Sequence, residues 1–213
     1  MTVPFQDFTN EVRVYFPDMP EPVVLGAVRN AAIEFCEKSL YWTYEHDPIS
    51  AVADLTEYEF DLPEDTEVAK IIDGWYDDHV LVFASEERLQ GQFQTPWRQT
   101  TGSAAFITQM DPQSFLLAPA PAENITDAIR LIVALKPTRD APGIDDMFYS
   151  RWLEEIAGGA RARLYAIPGH QTYNPTAAVA ARRQFAADIS SARIERNRGL
   201  TRATLVVRPK SWV

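Results

Sequence analysis

The hydrophobic pattern of this chain changes period twice, and that change limits its possible folds more than any other feature. Phe5, Phe8, Val12 and Tyr15 recur at three- and four-residue spacing, which puts them on one face of a helix. Pro17 and Pro20 break it, and a second helix opens near Pro22, a residue suited to a first turn, running through Leu25, Val28, Ala32 and Phe35 to about Ser39. From Tyr41 the apolar residues gather instead into short β-branched and aromatic runs divided by Pro, Asp and Gly. These predict strands at Leu40–Tyr44, Tyr58–Leu62, Val68–Tyr76, His79–Ala84, Ala104–Gln109, Ser114–Ala118 and Ala128–Leu135, enough for a small sheet or barrel. Helical spacing returns at Phe148, Trp152, Ile156, Ala160, Leu164 and Ile167 and ends at Pro168-Gly169. Asn174-Pro175 then caps and opens a last helix, with Ala181, Phe185, Ile189 and Ala192 as its inner stripe, and Gly199 closes it. The expected class is α+β.

Local signals refine this outline. Asp77-Asp78 reads as a hairpin turn, because short acidic side chains tolerate its backbone geometry. Ser85 reads as the N-cap of a short helical turn through Leu89. Two adjacent glycines, Gly158-Gly159, cost a helix roughly 1 kcal/mol each relative to alanine, so a close backbone neighbour or a kink is expected there.

With 213 residues the chain can bury a core in one large or two small domains, and its 46% hydrophobic and 23% charged residues are those of a globular protein. Apolar runs such as Leu131–Leu135 are far shorter than the ~18 residues of a membrane span, and no membrane partner is expected. Met1–Asp7 carry neither a basic nor an apolar signal region, and the single cysteine, Cys36, closes no intrachain disulfide, so synthesis in a reducing cytoplasm is expected.

Charge is unevenly divided. Residues 1–150 hold 9 Lys and Arg against 26 Asp and Glu, whereas residues 151–213 hold 11 against 4. An acidic body repels phosphate, since nucleic-acid affinity comes largely from neutralising phosphates with Lys and Arg. Tight DNA binding by the first 150 residues is therefore not expected, although the carboxylates also serve solubility.

Catalytic candidates are few: His46, His79, His170 and Cys36. Asp77-Asp78-His79 resembles a metal cluster in composition, but adjacent residues on a tight turn point apart and do not readily share an ion. Cys36 falls on the inner half of the second helix and reads as a small buried hydrophobe, and His170 as a surface or contact residue of the loop between the last two helices. Phosphate-binding Gly-rich loops, nucleophile elbows and His-Glu-x-x-His or CxxC motifs are absent, so neither an enzyme nor a cofactor or metal is expected.

One long stretch is more specific. Trp152-Leu153-Glu154-Glu155-Ile156-Ala157-Gly158-Gly159-Ala160-Arg161-Ala162-Arg163-Leu164-Tyr165-Ala166-Ile167-Pro168-Gly169, followed by an alanine-rich helix with Phe185, then Arg198-Gly199 and Val207-Arg208-Pro209, resembles the C-terminal half of tailed-phage head-to-tail adaptors, the connector or tail tubular proteins of short-tailed phages. Where many relatives continue with Lys-Pro-Trp, this chain has His170-Gln171-Thr172-Tyr173. The resemblance implies a four-helix bundle of residues 1–40 and 141–198, a β-rich insertion at 41–140 and a docking tail at 199–213. It further implies a virion protein at the neck between capsid and tail, forming a ring, typically twelve-fold, beneath the portal protein. A distal tail or nozzle protein is the other partner, and DNA crosses the lumen without specific binding during packaging and ejection. An acidic lumen would let phosphates slide without being trapped by ion pairs.

The tail, extended at ~3.3 Å per residue, reaches roughly 50 Å. It carries Arg202, Arg208 and Lys210 and no acid. Leu205, Val206, Val207, Arg208, Pro209 and Trp212 are the residues expected to dock on the portal by adding a strand to a sheet edge, with folding back on its own subunit as the alternative. Arg182, Arg183, Arg193 and Arg196 either pair with the acidic flank of the next subunit or remain solvated. Two other readings stay open: a head-completion stopper or tail terminator, and a soluble nucleic-acid or regulatory binding module that uses the basic C-terminal third.

Overall fold

The computed structural model of the chain describes residues 1–93 and 96–199. Its helices are α1 (Phe5–Arg13), α2 (Glu21–Ser39), α3 (Glu86–Gln92), α4 (Asp146–Leu164) and α5 (Pro175–Arg198). Its strands are β1 (Thr2–Pro4), β2 (Thr43–Glu45), β3 (Ile49–Ala51), β4 (Glu57–Glu59), β5 (Thr66–Tyr76), β6 (His79–Val80), β7 (Val82–Phe83), β8 (Thr101–Gly102), β9 (Phe106–Thr108), β10 (Ser114–Ala118), β11 (Ala120–Pro121), β12 (Ile125–Pro137) and β13 (Gly143–Asp145). The fold is α+β and divides into two compact units: Met1–Tyr41 with the described residues from Ala141 on, and Trp42–Asp140.

In the helical unit, α1 and α5 each pack against both α2 and α4. The centre is Phe35 of α2, whose ring centroid lies 6.2 Å from Phe148, 5.3 Å from Trp152 and 6.3 Å from Phe185. Aromatic side chains carry the largest apolar area of any residue, so one such cluster ties three helices together. Gly159 explains how closely α4 and α5 approach: a Cβ there would sit 2.7 Å from two ring atoms of Phe185. The close neighbour is a ring rather than backbone, and the non-helical residue of α4 is Trp152 (φ −128°, ψ 19°), seven residues earlier. Asp145 and Asn174 cap α4 and α5, accepting from the N–H of Met147 and Ala177 at 2.9 and 3.0 Å.

Helix ends correct the expected pattern at three places. Tyr15 lies outside α1, because the N–H groups of Tyr15 and Phe16 turn back to the carbonyls of Val12 and Arg13, which rotates Phe16 inward and leaves Tyr15 exposed beneath the Arg161 guanidinium, 4.8 Å from its ring. Leu40 is not in a strand; at φ 55° it ends α2 in the left-handed region, and the strand expected at Leu40–Tyr44 is only Thr43–Glu45. Ile167 follows the end of α4 and is half-buried.

The β unit is built on β12, thirteen residues long, which pairs antiparallel with β5 on one side and with β2 and β3 on the other. β6 completes that sheet, and a second sheet runs β4-β10-β9-β7. Between them Val68, Leu81, Ile107, Phe115, Leu117, Leu131 and Val133 form a buried core. The run expected at His79–Ala84 is two short strands, since Leu81 turns inward between them with its N–H on the Gly74 carbonyl at 2.8 Å. β1, β3, β8, β11 and β13, each two or three residues long, were too short to show a period. Asp77 and Asp78 do form the β5–β6 turn, at φ 45° and 62°.

The two glycines of α4 should respond oppositely to alanine. Gly158 has only the tip of Arg161 within reach, at 3.5 Å, so Gly158→Ala should stabilise by about 0.5–1 kcal/mol. Gly159→Ala should destabilise by about 1–3 kcal/mol, because Phe185 must move. Denaturant melts of both variants measure the pair; equal shifts would contradict the close approach.

Candidate assembly surfaces

The β unit, Trp42–Asp140, carries 18 Asp and Glu against 6 Lys and Arg. Five of those acids have a local duty: Asp54, Asp65, Asp77, Asp78 and Asp127 are the residues of this unit, among those described, whose φ is positive without being glycine. Aspartate reaches the left-handed region more readily than most side chains. Asp111 does another local job, accepting from Ser114 Oγ and from the N–H groups of Gln113 and Ser114, and these bonds hold its carboxyl below the usual carboxylate range. The remaining acids are mainly exposed.

In the helical unit one carboxylate organises three cations. Glu34 on α2 accepts from Arg182 of α5 through both oxygens at 2.7 and 2.8 Å, from Arg163 of α4 at 2.6 Å and from Lys38 at 2.5 Å. Burial pulls its carboxyl upward, but hydrogen bonds and charge from Arg182 and Lys38 outweigh that and hold it below its ordinary value. Lys38 stands four residues after Glu34, a spacing legible in the sequence; Arg163 and Arg182 are brought in only by the packing of α4 and α5. A second link, Arg151 to Glu195, joins α4 and α5, and Tyr41 donates to the same carboxylate at 2.9 Å.

The four arginines expected at a subunit interface therefore differ. Arg182 is engaged by Glu34 within the chain, and Arg196 binds the side chain of Asn197 at 2.7 Å. Arg183 and Arg193 are exposed on α5 and form no ion pair among the described residues. Leu205, Val206, Val207, Arg208, Pro209 and Trp212 lie outside the described residues.

Among the described residues, each unit carries a cleft. Glu154, Glu155, Asp188 and Gln184 line a groove of about 240 Å³ between α4 and α5, where burial, with Asp188 and Glu154 adding, pushes the Glu155 carboxyl up. On the β unit, Glu45, His46, Asp47, Trp75 and Arg130 line a cleft of about 520 Å³. His46 is buried and has both ring nitrogens engaged: Nε2 accepts from the Asp61 N–H at 2.9 Å, which leaves Nδ1 to donate to the Asp47 carbonyl at 2.6 Å. It fastens two loops and has no nitrogen left for a ligand. His79 is exposed, and His170 is held within its own turn by Thr172. Cys36 is fully buried.

Among the described residues no group of His, Cys, Asp or Glu is set to hold a metal; the helical unit carries a solvent-facing last helix, and the β unit is acidic. A family model described as SU10 adaptor protein matches residues 3–208, across both units and into the tail as far as Arg208. The chain belongs to the SU10 adaptor protein family. That is a phage head-to-tail adaptor family, and its role is structural. No curated protein matches the chain. Among the described residues of this adaptor no helix is long and apolar enough to cross a bilayer.

Glu34 and Glu155 should titrate against stability in opposite senses. A carboxyl held below its ordinary value stabilises the fold above that value and loses the effect as pH falls through the native one, so Glu34→Gln should cost about 1–3 kcal/mol at neutral pH and progressively less below pH 4.5. Glu155 is pushed up, so its charge weakens the fold once pH rises past its ordinary value, and Glu155→Gln should raise the melting temperature at neutral pH. Thermal melts from acid to neutral pH read both signs; parallel curves for the two variants would contradict the assignment.

Proposed function

We propose that this adaptor forms a ring beneath the portal protein at the virion neck, joining capsid to tail and leaving a passage for DNA. The observation that carries the reading is the reach of the family match, which takes in the helical unit, the β unit and the tail residues Leu205, Val206, Val207 and Arg208 together. In this reading α1, α2, α4 and α5 are a four-helix bundle, residues 41–140 are its insertion, and a copy number of twelve follows the resemblance noted above. A ring needs two different surfaces on opposite sides of each copy, a heterologous contact that closes by rotation.

The tail is the portal anchor. Leu205, Val206, Val207 and Trp212 supply apolar side chains, Arg208 a cation, and Pro209 an extended backbone, the composition of a strand that adds to a partner's sheet edge. The acidic β unit, at 18 acids to 6 bases, suits a surface that faces DNA without holding it, and the opposite end of the neck is left to a distal tail or nozzle protein. A nucleic-acid module built on the basic C-terminal third is less well supported, since Arg151, Arg163 and Arg182 already serve Glu195 and Glu34.

Removing residues 200–213 should leave a protein with the same melting temperature that no longer co-sediments with portal rings. Portal binding at full strength by the truncated, folded protein would overturn the anchor assignment.

A further inference from the structure

Helix α5 is 24 residues long, yet only Ala178, Phe185, Ile189 and Ala192 are buried. A helix supported by a single chain normally hides a broader stripe. Its outward face is also apolar in part: Val179 and Ile194 are 53% and 46% exposed, with Ala180, Ala186, Ala187 and Ser190 exposed beside them. Such small residues let another surface approach closely, and Arg183 and Arg193 place two cations along the same face.

Across the unit, α1 presents the complement. Its inward residues are Phe5, Phe8, Thr9 and Val12, so Asp7, Asn10, Glu11 and Val14 share the outward side. Val14 is 78% exposed, and neither Asp7 nor Glu11 forms an ion pair among the described residues. Because α1 and α5 each pack on both α2 and α4 without forming a packed pair of their own, they lie on opposite sides of the α2–α4 pair.

We propose that the outward face of α5 in one copy docks on the outward face of α1 in the next, with Arg183 and Arg193 set against Glu11 and Asp7 and with Val179 and Ile194 covered at the seam. This inference rests on the ring reading above and assigns its contact. The register follows from the contacts along α4. Tyr149 meets Phe8 at 5.3 Å and Arg151 pairs with Glu195, at one end. Arg161 covers Tyr15 and Gly159 faces Phe185, toward the other, where the Asn174 N–H reaches the Tyr165 carbonyl. Val14 therefore stands level with the turn Val179–Arg183, and at about 1.5 Å per residue Glu11 comes one turn further along, within reach of Arg183, and Asp7 another turn on, toward Arg193. Rotation about an axis along the helices preserves those levels from copy to copy.

Single-cysteine variants test the contact in the full-length protein. Val14→Cys and Val179→Cys chains carrying tags of different mass are mixed and treated with a short bismaleimide, with Val14→Cys plus Ile194→Cys as the out-of-register control. Cys36 stays silent, being fully buried with its thiol pushed up by burial. The expected result is a several-fold excess of mixed 14–179 products over either like-with-like product and over the 14–194 control, and a ladder of oligomers from the Val14→Cys/Val179→Cys double variant. Arg183→Glu should suppress trapping, and adding Glu11→Arg to the same chain should restore it. A statistical mixture, equal yield from the control, or no product would overturn the inference, since irreversible trapping accumulates even brief encounters. Portal co-sedimentation of the same variants keeps the outcomes separate: portal binding with statistical trapping defeats this contact alone, and specific trapping without portal binding defeats the adaptor reading alone.

Discussion

The close approach of α4 and α5 over Gly159 is the constraint from which the helical unit follows. Without a Cβ at that position the Phe185 ring enters the seam and reaches Phe35, which also holds Phe148 and Trp152. Interiors pack like molecular crystals, so a ring so placed fixes the spacing of its neighbours. That spacing brings Arg163 and Arg182 to Glu34. Three helices are thus joined twice, by rings inside and by one shared carboxylate nearer the surface. The cost of a glycine in mid-helix is offset by contacts that alanine would exclude.

With its inner stripe narrowed to four residues, α5 keeps most of its length facing outward. In a single copy that is an expensive use of a long helix, and in the proposed ring it is a surface free to be covered. Val179 and Ile194 on one side of the unit and Val14 on the other are apolar groups that an isolated chain leaves in water. Charge has a comparable double meaning in the β unit. Five aspartates sit there because turns demand left-handed backbone, and the excess of the rest gives the unit a surface on which DNA phosphates find little to hold.

Much of this was legible in the sequence, and the parts that were not have physical reasons. The helical stripes through Phe8, Phe35, Trp152 and Phe185 are visible because 3.6-residue periodicity repeats over several turns. Ser114–Ala118 is a strand with the expected bounds, yet β3, β8 and β11 escape notice because two or three residues display no period. Periodicity puts Tyr15 on the inner face, but a tightened final turn shifts the inward position by one residue, to Phe16. The glycine pair announced a special seam but not that Gly159 alone makes it. Glu34's partners were hidden by distance: Arg182 lies 148 residues away, and nothing local marks the pair. Of the four arginines singled out on α5, sequence could not say that Arg182 is already engaged while Arg183 and Arg193 face solvent.

The position of this chain in an assembled particle, and what it surrounds there, decide its function. Electron cryomicroscopy of the intact neck measures that directly. It should show copies of this chain closed in a ring under the portal, with carboxylates of the β unit outnumbering Lys and Arg along the DNA channel. A map that places the chain elsewhere, or a channel at this level lined mainly by arginine and lysine, would contradict it.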